Sequence, residues 1–196
     1  MSKQFGGNPP TPQLPGGKYN RVYRLGTVLG LRVTAETSAF VGGIVLWAVL
    51  AVVGRSLLGL TGPDVVVGGA LTVLLHYGSE FVHQMGHALA AANTGHPMSG
   101  MHFWLLLARS VYPAGEPKLP AAIHLRRAKG GPIASAIASG VLGVLALLMA
   151  PVGGMVWAIL VFLFLDNLLV FTIGSLLPLG FTDGSTILKY RQQKQK

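Results

Sequence analysis

Apolar blocks alternate with polar segments along this chain, and four of the blocks approach the length of a membrane span. The first covers about residues 38–53 and can continue to 60, and the others cover 65–92, 132–150 and 155–177. A helix of about 20 apolar residues crosses a bilayer. The pattern therefore predicts an α-helical polytopic membrane protein with about four transmembrane helices.

The segment between spans two and three, residues 93–131, is long and contains four prolines. Its apolar run 102–108 is too short to span a bilayer, so we expect a small cytoplasmic strand or hairpin against the membrane. Before the first span, the arginine-containing stretch 21–36 favours a short interfacial helix.

These segments predict a simple domain organisation. The transmembrane domain covers 38–190, with a core over 65–190. It is flanked by a disordered Pro/Gly-rich tail (1–20), a cytoplasmic basic segment (21–37) and a basic tail (191–196).

Composition narrows the class of protein. Only 11% of residues are charged and the mean hydropathy is +0.56, whereas soluble domains carry about 25% charged residues. The chain has no cysteine, which excludes disulfides and thiolate ligands, so that His, Asp or Glu must hold any metal.

The net charge of +9 would suggest nucleic acid in a soluble protein, but here we expect no nucleic-acid partner, because cytoplasmic loops explain the charge. With four spans, 14 of the 15 Lys and Arg lie on one side, and only Arg55 lies on the other. The positive-inside rule then places both termini in the cytoplasm. We expect an integral protein of a prokaryotic cell membrane, with the lipid bilayer as its first partner.

Four ionisable side chains of span two share one helical face. At about 100° per residue, His76, Glu80, His83 and His87 fall within a stripe of about 60°. Two imidazoles at i and i+4, as in His83 and His87, can bind one Zn²⁺. The alternative is that these histidines pair with neighbouring helices, but the adjacent Glu80 favours the metal.

A catalytic zinc usually has three protein ligands and a water. Asp183 follows span four in a segment that Pro178, Gly180 and Gly184 unwind, at the same cytoplasmic depth as the two histidines. On spacing alone, a ligand and a simple Asp-Gly turn are equally good interpretations of Asp183. Glu36 and Glu116 lie in charged surroundings and are expected to be solvated.

Two further polar groups lie at equal depth in neighbouring spans. His76 and Asp166 are each 11 residues from the outer end of their spans, which is about 16 Å at 1.5 Å per residue. An unpaired Asp there is costly. We predict that the two groups interact as intramembrane polar support, with Asn167 or Glu80 completing the network. The alternative is that Asp166 is protonated or pairs within its own span.

Three motifs in order resemble the site-2 protease family, the intramembrane zinc metalloproteases. Residues 83–90 (HQMGHALA) resemble the family's HExGHALAA signature, 130–134 (GGPIA) its GGPLAN-like segment, and 177–184 (LPLGFTDG) its NxxPxxxxDGG segment. The resemblance implies one Zn²⁺ per chain, held by His83, His87 and Asp183.

The chain departs from the family pattern at the general base. The glutamate of the family's histidine motif, which acts as the general base, is replaced by Gln84 in this chain. Serines replace the family's residue at three further motif positions: Ser135, Ser175 and Ser185. Glutamine cannot accept a proton at neutral pH, so we expect zinc and substrate binding with poor cleavage. Gln84 is either a substitution introduced into an active protease, which we favour, or the mark of a natural pseudoprotease. Glu80 is a less favoured substitute base.

The resemblance implies cleavage of a single-span membrane protein near the cytoplasmic face, with release of a cytoplasmic regulator. Cleavage requires an extended backbone, and strands within 98–112 can bind the substrate by strand addition. A different class of function, a metal or proton transporter using His76, Glu80 and Asp166, stays open as the alternative.

Overall fold

The structure is a computed structural model that describes residues 21–194. The tail predicted over residues 1–20 lies outside these residues. The architecture of these residues is mostly helical with one small sheet: two strands precede the first two helices, two more strands follow them, and three helices end the described chain.

Four helical segments within residues 21–194 are long and apolar enough to cross a membrane. They are α1 (Thr37–Leu57), α2 (Pro63–Ala92), α3 (Ala121–Met149) and the segment Gly154–Gly174. The last begins as α4 (Gly154–Leu165) and continues as wider π-helical turns over Asp166–Gly174. A short helix, α5 (Asp183–Lys194), ends the described chain and covers most of the predicted basic tail.

In the described part of the chain, four strands form one sheet in sequence order. The strands are β1 (Val22–Val28), β2 (Leu31–Glu36), β3 (Gly100–Trp104) and β4 (Leu107–Val111). β2 and β3 pair in parallel, and the two outer pairs are antiparallel. The order leaves β4 at one edge of the sheet, and β3 and β4 form the hairpin expected between spans two and three.

The prediction of an interfacial helix over residues 21–36 was wrong, because this stretch forms the hairpin β1–β2. Its period is two: Leu31, Val33 and Ala35 are buried, while the intervening Arg32 and Thr34 are less buried. Such alternation is typical of a strand with one buried face. The buried face packs with β3 and α2 in the main apolar cluster.

The start of the third span also differs from the prediction. Hydropathy placed it at residue 132, but α3 begins at Ala121 and includes Arg126, Arg127, Lys129 and Pro132. Hydropathy locates the apolar part of a helix and not its extension beyond the membrane. Proline inside a membrane helix is tolerated where neighbouring groups satisfy the freed backbone.

Glycines bring α2 and α3 into close contact beside the two histidines. A Cβ on Gly86 would lie 2.6 Å from Cβ of Ala134, and a Cβ on Gly130 would lie 2.7 Å from Cβ of Ala90. Carbon atoms pack best at about 3.5–4.0 Å. Only glycine therefore permits this crossing, which places the GGPIA segment against the histidine motif.

Candidate metal centre

His83, His87 and Asp183 come together although they lie far apart in sequence. Nε2 of His83 and Nε2 of His87 are 3.1 Å apart, and Oδ2 of Asp183 lies 3.3 Å from each. Both imidazoles are buried, and the carboxylate is nearly so. Within residues 21–194, these residues form the one group of three or more His, Cys, Asp or Glu side chains suited to a metal.

The spacing of these three atoms fits a tetrahedral zinc ion. Ligand atoms at about 2.0–2.1 Å from such an ion lie about 3.3–3.4 Å from one another. The observed separations of 3.1, 3.3 and 3.3 Å are close to that value. Two imidazoles and one carboxylate are also a donor set that zinc enzymes use, with the fourth position open.

Each imidazole is oriented by a hydrogen bond on its other nitrogen. Nδ1 of His83 lies 2.9 Å from Oγ of Ser135, and Nδ1 of His87 lies 2.8 Å from the carbonyl oxygen of Arg127. Because a carbonyl only accepts, Nδ1 of His87 carries the proton and Nε2 keeps its lone pair for a metal. Motif reasoning had left the role of Ser135 open, and the structure places it in contact with His83.

Glycines permit the approach of α3 and of the Asp183 segment. A Cβ on Gly131 would lie 2.7 Å from Cδ2 of His83 and still closer to Nε2 of both histidines. A Cβ on Gly184 would overlap the carbonyl of Leu176. Ser185, which replaces the family's second glycine, accepts a 2.7 Å hydrogen bond from the backbone N–H of Gly180 and so braces this loop.

The surroundings of Asp183 favour its ionised form. Burial acts to raise the pKa of this carboxyl, but its hydrogen bonds and charge interactions with His83 and His87 outweigh burial and hold the pKa below its usual value. Asp183 is therefore ionised at neutral pH, as a carboxylate ligand must be.

Gln84 lies beside the histidines in a full set of hydrogen bonds. Its Nε2 donates to Oε1 of Glu80 and to the carbonyl oxygen of Ala108, both at 3.0 Å. Its Oε1 accepts a 2.9 Å bond from Oγ of Ser110. The contacts with Ala108 and Ser110 were not predicted, because they connect α2 to a strand 24 and 26 residues away.

A cavity of about 670 Å³ opens over these side chains. Residues from β4, α3 and the π-helical segment line it together with the three candidate ligands, Glu80 and Gln84. Ser175 also lines it, with its hydroxyl hydrogen-bonded to the carbonyl of Phe171. The cavity therefore connects the candidate metal position with the edge strand β4.

The structure brings His76 and Asp166 together away from the candidate ligands. Nδ1 of His76 lies 2.9 Å from Oδ2 of Asp166, and both side chains are buried. Nε2 of His76 bonds the carbonyl oxygen of Leu106. Among the hydrogen bonds of residues 21–194, Asn167 bonds Ser79 and Leu163, so neither it nor Glu80 bonds this pair.

Glu36 and Glu116, expected to be solvated, both have partners. Glu36 accepts from Nε2 of His102 at 3.0 Å, on the sheet. Glu116 forms two hydrogen bonds with the buried guanidinium of Arg127, at 2.5 and 2.9 Å, which hold the pKa of this carboxyl below its usual value. Arg127 also donates to the carbonyl of His96, so it connects the inter-span loop to the backbone that orients His87.

Comparison with solved structures identifies a similar fold. The site-2 protease from Methanocaldococcus jannaschii matches with a TM-score of 0.63, over 89% of this chain and 73% of that chain, at 17% sequence identity. No protein-family model matches the chain, and no curated protein matches its sequence. The chain therefore has a fold similar to that of this site-2 protease.

Proposed function

We propose that this protein is an intramembrane zinc metallopeptidase of the site-2 type, acting on a single-span membrane protein near the cytoplasmic face. The observation that carries the proposal is the convergence of His83, His87 and Asp183 at the spacing of three corners of a zinc tetrahedron. The fold likeness supports the same conclusion.

The chemistry divides between the metal and the side chains around it. A bound zinc ion supplies Lewis acidity and lowers the pKa of a coordinated water towards about 7. Ser135 and the Arg127 carbonyl hold the two imidazoles with Nε2 turned towards Asp183. Gln84 can hydrogen-bond a water or a substrate, but its amide cannot take a proton at neutral pH.

The position of Gln84 determines the expected rate. Loss of a general base typically reduces rates about 10²–10⁴-fold. The protein with Gln84 should therefore bind zinc and substrate and cleave slowly, whereas Gln84→Glu should raise cleavage without changing the zinc content.

The substrate is proposed to enter as an extended segment along β4. This strand lies at the edge of the sheet and lines the cavity beside the candidate ligands. An edge strand can pair with an added strand, here over the part of β4 beyond Ala108, whose own backbone groups bond Glu80 and Gln84. The extended form also exposes a peptide carbonyl that a helix would hold in its i→i−4 hydrogen bonds. A single-span protein that unwinds at the cytoplasmic face meets this requirement.

A natural pseudoprotease is the second candidate function. The hydrogen bonds around Gln84 favour it, because both amide hydrogens and the amide oxygen are used. Such a protein would hold the same zinc and the same membrane partner without cutting it.

Two measurements test the proposal. Metal analysis of the purified protein should find one zinc per chain, lost in His87→Ala and in Asp183→Ala. A transporter path built on His76 and Asp166 would keep its metal in Asp183→Ala, so retention there contradicts the peptidase site.

Cleavage is tested with Gln84→Glu on a panel of single-span membrane proteins, with a zinc chelator as control. Chelator-sensitive cleavage supports the peptidase. If zinc is bound but Gln84→Glu is as inert as the unmodified protein, the pseudoprotease is the better description.

A further inference from the structure

Two side chains of α2 bind both backbone groups of one residue in β4. Oε1 of Glu80 accepts the N–H of Ala108 at 2.8 Å, and Nε2 of Gln84 donates to the carbonyl oxygen of Ala108 at 3.0 Å. Glu80 and Gln84 are one helical turn apart, and they also bond each other. The two side chains thus form hydrogen bonds with both backbone groups of Ala108, as a residue of a neighbouring strand would. These bonds lie at the edge of the sheet where β4 meets α2.

The hydrogen-bond chemistry determines which way the Gln84 amide points. The Ala108 carbonyl can only accept, so the group facing it must be the NH₂ of the amide. Its second hydrogen points to Glu80, and the amide oxygen receives the Ser110 hydroxyl. All three partners are therefore complementary to an amide at position 84, which is 3% exposed.

A glutamate at position 84 would face hydrogen-bonding partners that do not suit a carboxylate. A carboxylate has no hydrogen to donate, so one of its oxygens would face the Ala108 carbonyl and the Glu80 carboxylate in place of two hydrogen bonds. Glu80 is itself 2% exposed, so little water reaches the pair to supply the missing donors.

We propose that Glu80 and Gln84 form a matched carboxylate–amide pair that positions β4 at the candidate metal centre, and that position 84 is therefore built for glutamine. Glu80 acts here as a positioning residue. The proposal rests on the proposed function only where it places residue 84 at the site of the family's general base. It follows that Gln84 is the native residue at this position. It also follows that Glu80 limits how much cleavage activity Gln84→Glu can restore.

Four forms of the full-length protein in detergent test the pair: the unmodified chain, Glu80→Gln, Gln84→Glu and the double variant. Thermal unfolding and hydrogen exchange of peptides covering β4 are measured for each, at one zinc concentration. Neither measurement involves cleavage, so a protein without peptidase activity still decides the question.

Glu80→Gln should stay close to the unmodified protein, because its amide oxygen accepts from the same two donors. Gln84→Glu should lower the unfolding midpoint by roughly 5 °C or more and speed exchange in β4. The double variant should recover at least half of that loss, because the amide introduced at position 80 can donate to the carboxylate introduced at position 84. Recovery is incomplete because the Ala108 carbonyl still lacks its donor.

Gln84→Met is the matched control, since it removes the donor without adding charge. Adding Glu80→Gln to Gln84→Met should bring no recovery. The proposal is overturned if Gln84→Glu is as stable and as protected in β4 as the unmodified protein. It is equally overturned if the double variant loses as much as the two single variants added together.

Discussion

Replacing Gly131 with alanine places one methyl group between the candidate metal ligands. The added Cβ would lie 2.7 Å from Cδ2 of His83 and closer still to Nε2 of His83 and His87. Carbon atoms pack at about 3.5–4.0 Å, so at least one imidazole must move by about 1 Å. Gly131 lies inside α3 at its contact with α2, where the backbone itself has little room to yield.

The required movement can be compared with what a zinc site tolerates. Ligand distances in a functioning site stay within about 0.2 Å of their standard values, so a shift of about 1 Å removes a ligand from position. Changes in the groups that merely orient ligands cost about 10–100-fold in metal affinity. Direct displacement should cost at least about 100-fold. Helix propensity would instead raise the folding stability of the variant, because alanine stabilises a helix relative to glycine by about 1 kcal/mol.

Zinc affinity is measured by competition with a calibrated chelator, on protein whose folding is checked by circular dichroism. Gly140→Ala is the matched control, because it lies in the same helix and a Cβ there has no atom within 4 Å. We expect Gly140→Ala to bind zinc like the unmodified protein. If folded Gly131→Ala also binds one zinc with unchanged affinity, the proposed position of the metal between His83 and His87 is wrong.

Three further changes test other parts of the structure. Gly86→Ala should destabilise the protein by about 1–3 kcal/mol in thermal unfolding, through overpacking of α2 against α3; an unchanged midpoint would contradict the close crossing. Glu116→Gln should reduce stability at pH 7, because Arg127 lowers the folded pKa of Glu116. That contribution is present above the unfolded pKa of about 4.3 and is lost as the pH falls through the folded value, so the difference between the two proteins should vanish in acid. Asp166→Ala should cost about 1–3 kcal/mol, because Nδ1 of His76 loses its buried partner while Nε2 keeps the Leu106 carbonyl. Zinc content should stay unchanged; loss of zinc would instead place this pair in the metal site.

Local patterns in the sequence accounted for the helical part of the fold. Hydropathy located four segments that overlap the four long apolar helices, because a span is a property of about 20 consecutive residues. The i, i+4 spacing of His83 and His87 placed both on one helical face, since helix geometry alone determines which residues are neighbours. The equal depth of His76 and Asp166 suggested a contact that the structure contains.

The sheet was less accessible to sequence reasoning. The basic residues of 21–36 suggested a helix at the membrane interface. The alternation of buried positions in β2 is instead typical of a strand, which is what this stretch forms. β2 is stabilised by a parallel partner about 68 residues away. Such a pairing has no local signal, and charge can obscure the two-residue period that would have indicated a strand.

Only the tertiary structure decided how the candidate site is assembled. Spacing left Asp183 open between a ligand and a turn, and the folded chain brings its carboxylate to the two imidazoles. The partners of the imidazoles, Ser135 and the Arg127 carbonyl, come from the facing helix. The physical reason is that a helix determines its own faces, whereas contacts between distant segments depend on how closely those segments pack, here through glycines that leave room for the histidines.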